Sequence, residues 1–166
     1  MIGFTLAQHD IDRLKAVDAR LALVVGRAAM LCPFTFTVAQ GLRTEAQQRA
    51  LVAAGKSETM HSMHLIGRAV DLVVVTEHGA DWHWGVYVEL NALMQQAGRD
   101  VGHGVFWGGQ WHSIKDGDHW QLSSAEAEKF EPCPDSLSST SFMPWVLEHV
   151  RSTMSGSAPR TTSASA

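Results

Sequence analysis

The stretch that most constrains this chain is Ser62-Met63-His64-Leu65-Ile66-Gly67-Arg68-Ala69-Val70-Asp71-Leu72-Val73-Val74. Its second half is a short apolar run rich in β-branched residues, the pattern of a buried strand. Asp71 stands inside that run, and a carboxylate is costly to bury unless a positive group meets it. His64 lies seven positions earlier, beyond Gly67. A turn at that glycine folds the imidazole back towards Asp71. A cation held by both side chains removes the cost, so the pair reads as two ligands of a zinc ion.

A catalytic zinc takes three protein ligands and keeps a fourth position open. The third has to come from a separate element. His119 is the best candidate, because Asp116 lies three residues before it in an Asp-Gly turn. A carboxylate so placed can stand beside a metal without ligating it, take a proton from water and later deliver it to a leaving amine. Spacing alone leaves rivals open. His64 reads equally well as a loop histidine and His119 as a strand-edge one. Asp71 reads also as a surface residue at a strand edge, although its apolar flanks speak against that.

Composition narrows the function classes. At 166 residues, 45% of them hydrophobic, the chain is long enough for one self-sufficient core. A net charge of -4 and no basic stripe argue against nucleic acid as a partner. No run approaches the roughly 20 apolar residues that cross a bilayer, so no membrane insertion is expected. No basic, signal-like start precedes the first apolar segment, which points to synthesis in a cytoplasm. Cys32 and Cys133 are isolated, which excludes a cysteine zinc cluster; reduced packing thiols are expected.

In chain order, Thr5 to Gln8 has the form of a capping box and predicts a helix from Leu6. Asp18 caps a second helix, which Pro33 ends. Residues 34–38 alternate like a strand. Thr44 and Gln47 box a third helix that closes at Gly55, with Ala46, Ala50, Leu51 and Ala54 as its packed face. Residues 56–63 read as loop. After the 69–74 strand, Asp81 caps a helix over 82–97 whose apolar face holds Trp84, Val88, Leu90, Leu93 and Met94. Short strands follow at 105–107 and at the end of 116–122. Residues 142–154 predict a further helix, and the Ser/Thr/Ala-rich 155–166 predict disorder.

The residues around the His/Asp pairs carry a resemblance. Gly41-Leu42-Arg43-Thr44, Gln48, Leu51, Gly55-Lys56-Ser57, Ser62-x-His64-x-x-Gly67-x-Ala69-Val70-Asp71-Leu72, Trp107-Gly108-Gly109, Trp111 and Asp116-x-x-His119-x-Gln121-Leu122 occur in order. Over about residues 5–123 the chain resembles the zinc peptidoglycan peptidases of the D-alanyl-D-alanine carboxypeptidase and L-alanyl-D-glutamate endopeptidase family, above all the short bacteriophage endolysins. The resemblance implies an α+β fold of the Hedgehog/D,D-peptidase type, a small antiparallel sheet packed with helices. It implies a zinc peptidase domain over 1–130, with 131–166 as an extension. It implies Zn2+ on His64, Asp71 and His119, with Asp116 as catalytic base and acid. Arg43 matches the family arginine that faces the metal and helps polarise the scissile carbonyl, with Gln48 and Ser62 in support.

The expected substrate is the peptidoglycan stem peptide, cut at L-alanyl-D-glutamate by a monomer that reaches the wall through a membrane lesion. The alternatives are D,D-carboxypeptidase activity or a non-catalytic, zinc-containing wall-binding module. Gln110, Met63 and His61 depart from the family pattern near the site. His103, His112 and Asp118 are expected to be exposed, with His112 a possible substrate contact. Trp107, Trp111 and Trp120 are expected as core and cleft wall.

Overall fold

The structure, a computed structural model, describes residues 3–123 and 130–156. It is α+β, as expected. Five helices occur among the described residues: α1 (Gln8–Lys15), α2 (Ala19–Leu31), α3 (Glu45–Ala53), α4 (Trp84–Val101) and α5 (Phe142–Met154). Five strands form one antiparallel sheet: β1 (Thr35–Gln40), β2 (Ala69–Thr76), β3 (Gly79–Asp81), β4 (Val105–Trp107) and β5 (His119–Leu122). The order is β1-β2-β5-β4, and β3 pairs with β2 beyond the end of β5.

β2 is the hub because it is paired along both edges. Its inward residues Val70, Leu72 and Val74 alternate with half-buried Asp71 and Val73. Phe36 and Val38 from β1, and Trp120 and Leu122 from β5, join the same buried layer. Beneath it lies α2, apolar around most of its circumference and therefore enclosed; Leu21, Val24 and Val25 are fully buried. Leu90 and Met94 of α4 fill the space beside it. The other face of the sheet is left to carry Asp71 and His119, which stand directly opposite each other in register.

Helix ends show which local signals prevailed. Asp18 caps α2 by accepting from the Arg20 amide, and Thr44 and Gln47 close their capping box around α3. Gly55 takes the left-handed conformation after α3, with φ of 67°. Three expectations are corrected. α1 starts at Gln8, because Asp10, anchored on Thr37 and Val38 of β1, takes the Ala7 amide as well and Thr5 plays no part. α4 runs over 84–101 rather than 82–97: the Asp81 carboxylate accepts from His83 ahead of the helix, and Gly102 rather than Gly98 ends it. The alanine face of α3 is exposed, since that helix lies at the rim of a cleft and turns only Gln48 fully inward.

Described residues from 132 to 150 belong to the same core. Asp18 bridges to Pro132, Cys133 and Leu137 are buried, and α5 lays Phe142, Val146 and Val150 inward. Contact with α2 is close: a β-carbon at Gly26 would come within 2.6 Å of Val146 and 2.8 Å of Phe142. Cys32 and Cys133 are free and buried, and burial pushes the Cys133 thiol up to about 12. The disorder expected for 155–166 falls, beyond Gly156, outside the described residues.

Candidate metal centre

Three elements deliver three side chains to one point. Ser62 caps a 3-10 turn, Met63–Ile66, by accepting from the His64 amide, and Gly67 ends the turn at φ of 66°, a conformation that disfavours any β-carbon. That reversal points the His64 ring at β2, as the sequence suggested. Asp71 and His119 arrive from the paired strands. His64 Nε2 lies 3.0 Å from Asp71 Oδ1 and 3.2 Å from His119 Nδ1, and His119 Nδ1 lies 3.2 Å from Asp71 Oδ1. The two histidines are buried, 1% and 5% exposed, and Asp71 between them is half-buried.

The outer atoms of the three residues are already engaged. His64 Nδ1 is 2.8 Å from the Gly41 carbonyl, and His119 Nε2 is 3.1 Å from Gln121 Oε1. A neutral imidazole has one N–H. With that proton directed at each oxygen acceptor, the nitrogens facing inward present lone pairs, and so does Asp71 Oδ1. Three lone pairs converging on one point can hold a cation between them. Tetrahedral zinc with ligands at about 2.0–2.1 Å sets its ligand atoms roughly 3.3 Å apart. The observed triangle fits that set of donors, and the outer hydrogen bonds supply the orientation that metal-binding histidines require.

Charge accumulates in the same sense. Burial alone would raise the Asp71 carboxyl, but His119 and His64 outweigh it and hold it far below the usual carboxylate range. Burial would lower the His119 imidazole; Asp71 reverses this and raises it, with Gln121 and Asp116 adding to the effect. Arg43 Nη2 stands 3.2 Å from the outer oxygen of Asp71. Its Nη1 donates to Gln48, which in turn donates to Ser57 and to the Thr59 carbonyl. Gln48 thus secures Arg43 rather than contacting the trio.

The trio forms part of the floor of a cleft of about 740 Å³, whose walls include Trp111, Met63, His61, Lys56, Asp116 and Asp118. Asp116 reaches it through a close approach: a β-carbon at Gly108 would lie 3.1 Å from the β-carbons of both Asp116 and His119. Trp111 leans over the His119 ring with centroids 4.9 Å apart, while Trp107 and Trp120 are buried. His112 is exposed, His103 is half-buried, and His61 stays outside the convergent group.

Asp118 departs from expectation. It is half-buried on the cleft wall, hydrogen-bonded to Asp116; burial, then Asp116 and Asp71, push its carboxyl up to about 8. The sequence signal was the Asp-Gly-Asp spacing, which sets two acids on one side of a turn. Gln121 and the Gly41 carbonyl were also missed as partners of the histidines; the first follows from the β5 alternation, and the second has no side-chain signal.

Two imidazoles and a carboxylate on the floor of an open cleft form the arrangement of a metallohydrolase. Comparison with known proteins agrees on the hydrolase. The family described as phage L-alanyl-D-glutamate peptidase matches residues 2–131. The L-alanyl-D-glutamate peptidase of Escherichia phage T5 is 29% identical over 119 residues, 69% of this chain and 87% of that protein. The L-alanyl-D-glutamate peptidase of Listeria phage A118 is 35% identical over 82 residues, 49% of this chain and 28% of the longer relative. The crystal structure of Serratia marcescens L-Ala D-Glu endopeptidase ChiX superposes with a TM-score of 0.68 at 36% identity, covering 74% of this chain and 91% of that one. The chain belongs to the phage L-alanyl-D-glutamate peptidase family.

Proposed function

We propose that this protein is a zinc-dependent endolysin, a monomer that hydrolyses the L-alanyl-D-glutamate amide of the peptidoglycan stem peptide. The carrying observation is the convergence of three lone-pair donors at the floor of a cleft that also holds Asp116. His64, Asp71 and His119 hold the ion. Bound zinc supplies Lewis acidity and brings the pKa of water down from about 15.7 to about 7. Asp116, outside the trio, accepts the proton of the attacking water on a carboxylate oxygen and returns it to the departing D-glutamate amine. Arg43, 3.2 Å from the outer oxygen of Asp71, adds positive potential where the carbonyl oxygen gains charge. The catalytic domain spans 1–130, the extension 131–166 braces it through α5, and the protein passes from the host cytoplasm to the wall through a membrane lesion.

The relatives favour the L-alanyl-D-glutamate bond over D-alanyl-D-alanine, and a purely wall-binding module has no use for Asp116 beside the ion. Digestion of purified peptidoglycan followed by mass spectrometry tests the assignment. New D-glutamate amino ends are expected, lost with chelator and restored by zinc. Asp116→Ala should retain the metal and lose about 10²–10⁴-fold in rate. Release of free D-alanine, or an active Asp116→Ala, overturns it.

A further inference from the structure

A second surface adjoins the cleft and takes no part in the chemistry just described. Trp82 and Trp84 flank the N-terminus of α4 and are 62% and 45% exposed. Their rings do not protrude edge-on. Trp82 lies nearly parallel to Tyr87, at 15° with centroids 6.1 Å apart, and Trp84 lies on Trp107 at 30° and 5.2 Å. Each indole is therefore backed by another ring, Trp84 by one that continues the stack to buried Trp120. Two large apolar faces held flat by such backing are not needed for the core.

The platform lies on the helix-bearing side of the sheet and meets the cleft at the 116–118 turn, where Asp116 and Asp118 line it. β3 and the start of β5 line up along the same edge of β2: Asp81 pairs with Val74, while the Asp118 carbonyl accepts from the Leu72 amide. Two residues of strand, about 7 Å, separate those points. Trp84 also touches the turn that bears the proposed base, because a β-carbon at Gly117 would lie 3.0 Å from its ring. A shallow depression of about 620 Å³ beside Trp82 is rimmed by Glu77, Asp81, His78 and His83. The rim has hydrogen-bonding groups but no lysine or arginine, which disfavours an anionic membrane as occupant.

We propose that Trp82 and Trp84 form a subsite for the sugar strand of peptidoglycan. This rests on the functional reading above, and the substrate's chemistry then selects the occupant. The L-alanine of the stem is joined through a lactyl group to an N-acetylated sugar, so a pyranose ring follows the scissile amide within about two residue lengths, roughly 7 Å. The apolar C–H face of a pyranose packs on an indole, and its hydroxyls and acetamido group are met by carboxylates and imidazoles such as those at the rim. The platform thus binds the polymer while the cleft receives its branch.

The test uses full-length protein, with peptide-free glycan strands and a soluble N-acetylglucosamine oligomer as probes, read by tryptophan fluorescence and calorimetry. Wild type should bind the strands with chelator present. Trp82→Ala and Trp84→Ala should each weaken binding about tenfold, with Trp82→Phe recovering part of it. Both should also lower, at least several-fold, the ratio of kcat/KM on intact wall to kcat/KM on sugar-free stem peptide. Should Trp84→Ala fail to fold, exposed Trp82→Ala still decides the matter. Wild type that does not bind the strands, or Trp82→Ala that binds them unchanged, overturns the proposal. Wild type that binds strands but cuts no stem peptide overturns the functional reading instead.

Discussion

Asp18 is wholly buried and Asp71 half-buried, and the partners of these two acids differ in kind. Asp18 is met by the Arg20 guanidinium at 2.9 Å and by the backbone amides of Arg20 and Glu131. These donors carry fixed protons, so they close the site by themselves. Asp71 is met by Arg43 on one oxygen only. On the other it faces two imidazoles whose inward nitrogens are donors or lone pairs according to what stands between them. A buried acid answered by arginine and amides is a joint; one answered by histidines orients an exchangeable cation.

Exchanging the two acids breaks or sustains that contrast most strongly. Asp71→Ala should lose stoichiometric zinc and about 10³-fold or more in wall-lytic rate. Asp18→Ala should keep its zinc yet lose about 3–5 kcal/mol of stability, since the buried Arg20 guanidinium loses the carboxylate at 2.9 Å and keeps that of Glu131 only at 3.9 Å. That corresponds to a Tm lower by roughly 10 °C. Metal analysis and thermal unfolding of the pair decide it; zinc loss in both would erase the distinction.

A smaller effect sharpens the metal side. Gln121→Leu removes the acceptor on His119 Nε2 without touching an inward atom. Zinc affinity measured by competition with a chelator should fall about 10–100-fold, the usual cost of losing such an orienting bond. The smallest effect concerns acid. Burial works to raise the Asp18 carboxyl, but Arg20 and the two amides prevail and hold it below its ordinary value of 3.8. The unfolded chain then binds the proton more readily, so this contribution is complete above 3.8 and fades as pH falls through the depressed folded value. Asp18→Asn should flatten the acid limb of a stability–pH curve recorded below about pH 4, and an unchanged limb would contradict the assignment.

Much of the site was legible because its chemistry lies in residue types that are expensive where they stand. Asp71 in an apolar run, His64 before a glycine turn and Asp116 ahead of His119 need no tertiary knowledge to attract attention. Their partners do. The Gly41 carbonyl is main chain, and it reaches His64 through a β-bulge between Val38 and Gln40 that no side chain announces. Asp118 read as exposed because its environment is made by Asp116 and Asp71 after folding. Capping chemistry placed α2 and α3, while helix faces were less secure: the alanines of α3 suit a packed face, but the cleft rim offers them nothing to pack on. β3 was invisible because three residues, Gly-Ala-Asp, show no periodicity.

The direct pairing of Asp71 with His119 has one more consequence. Side chains alternate across a strand, so a slip of a single position between β2 and β5 would turn one of them to the opposite face. A misaligned copy would be inert rather than merely slow. Enzymatic competence thereby proofreads the sheet, and lytic activity counts only those molecules whose two central strands have found their one correct alignment.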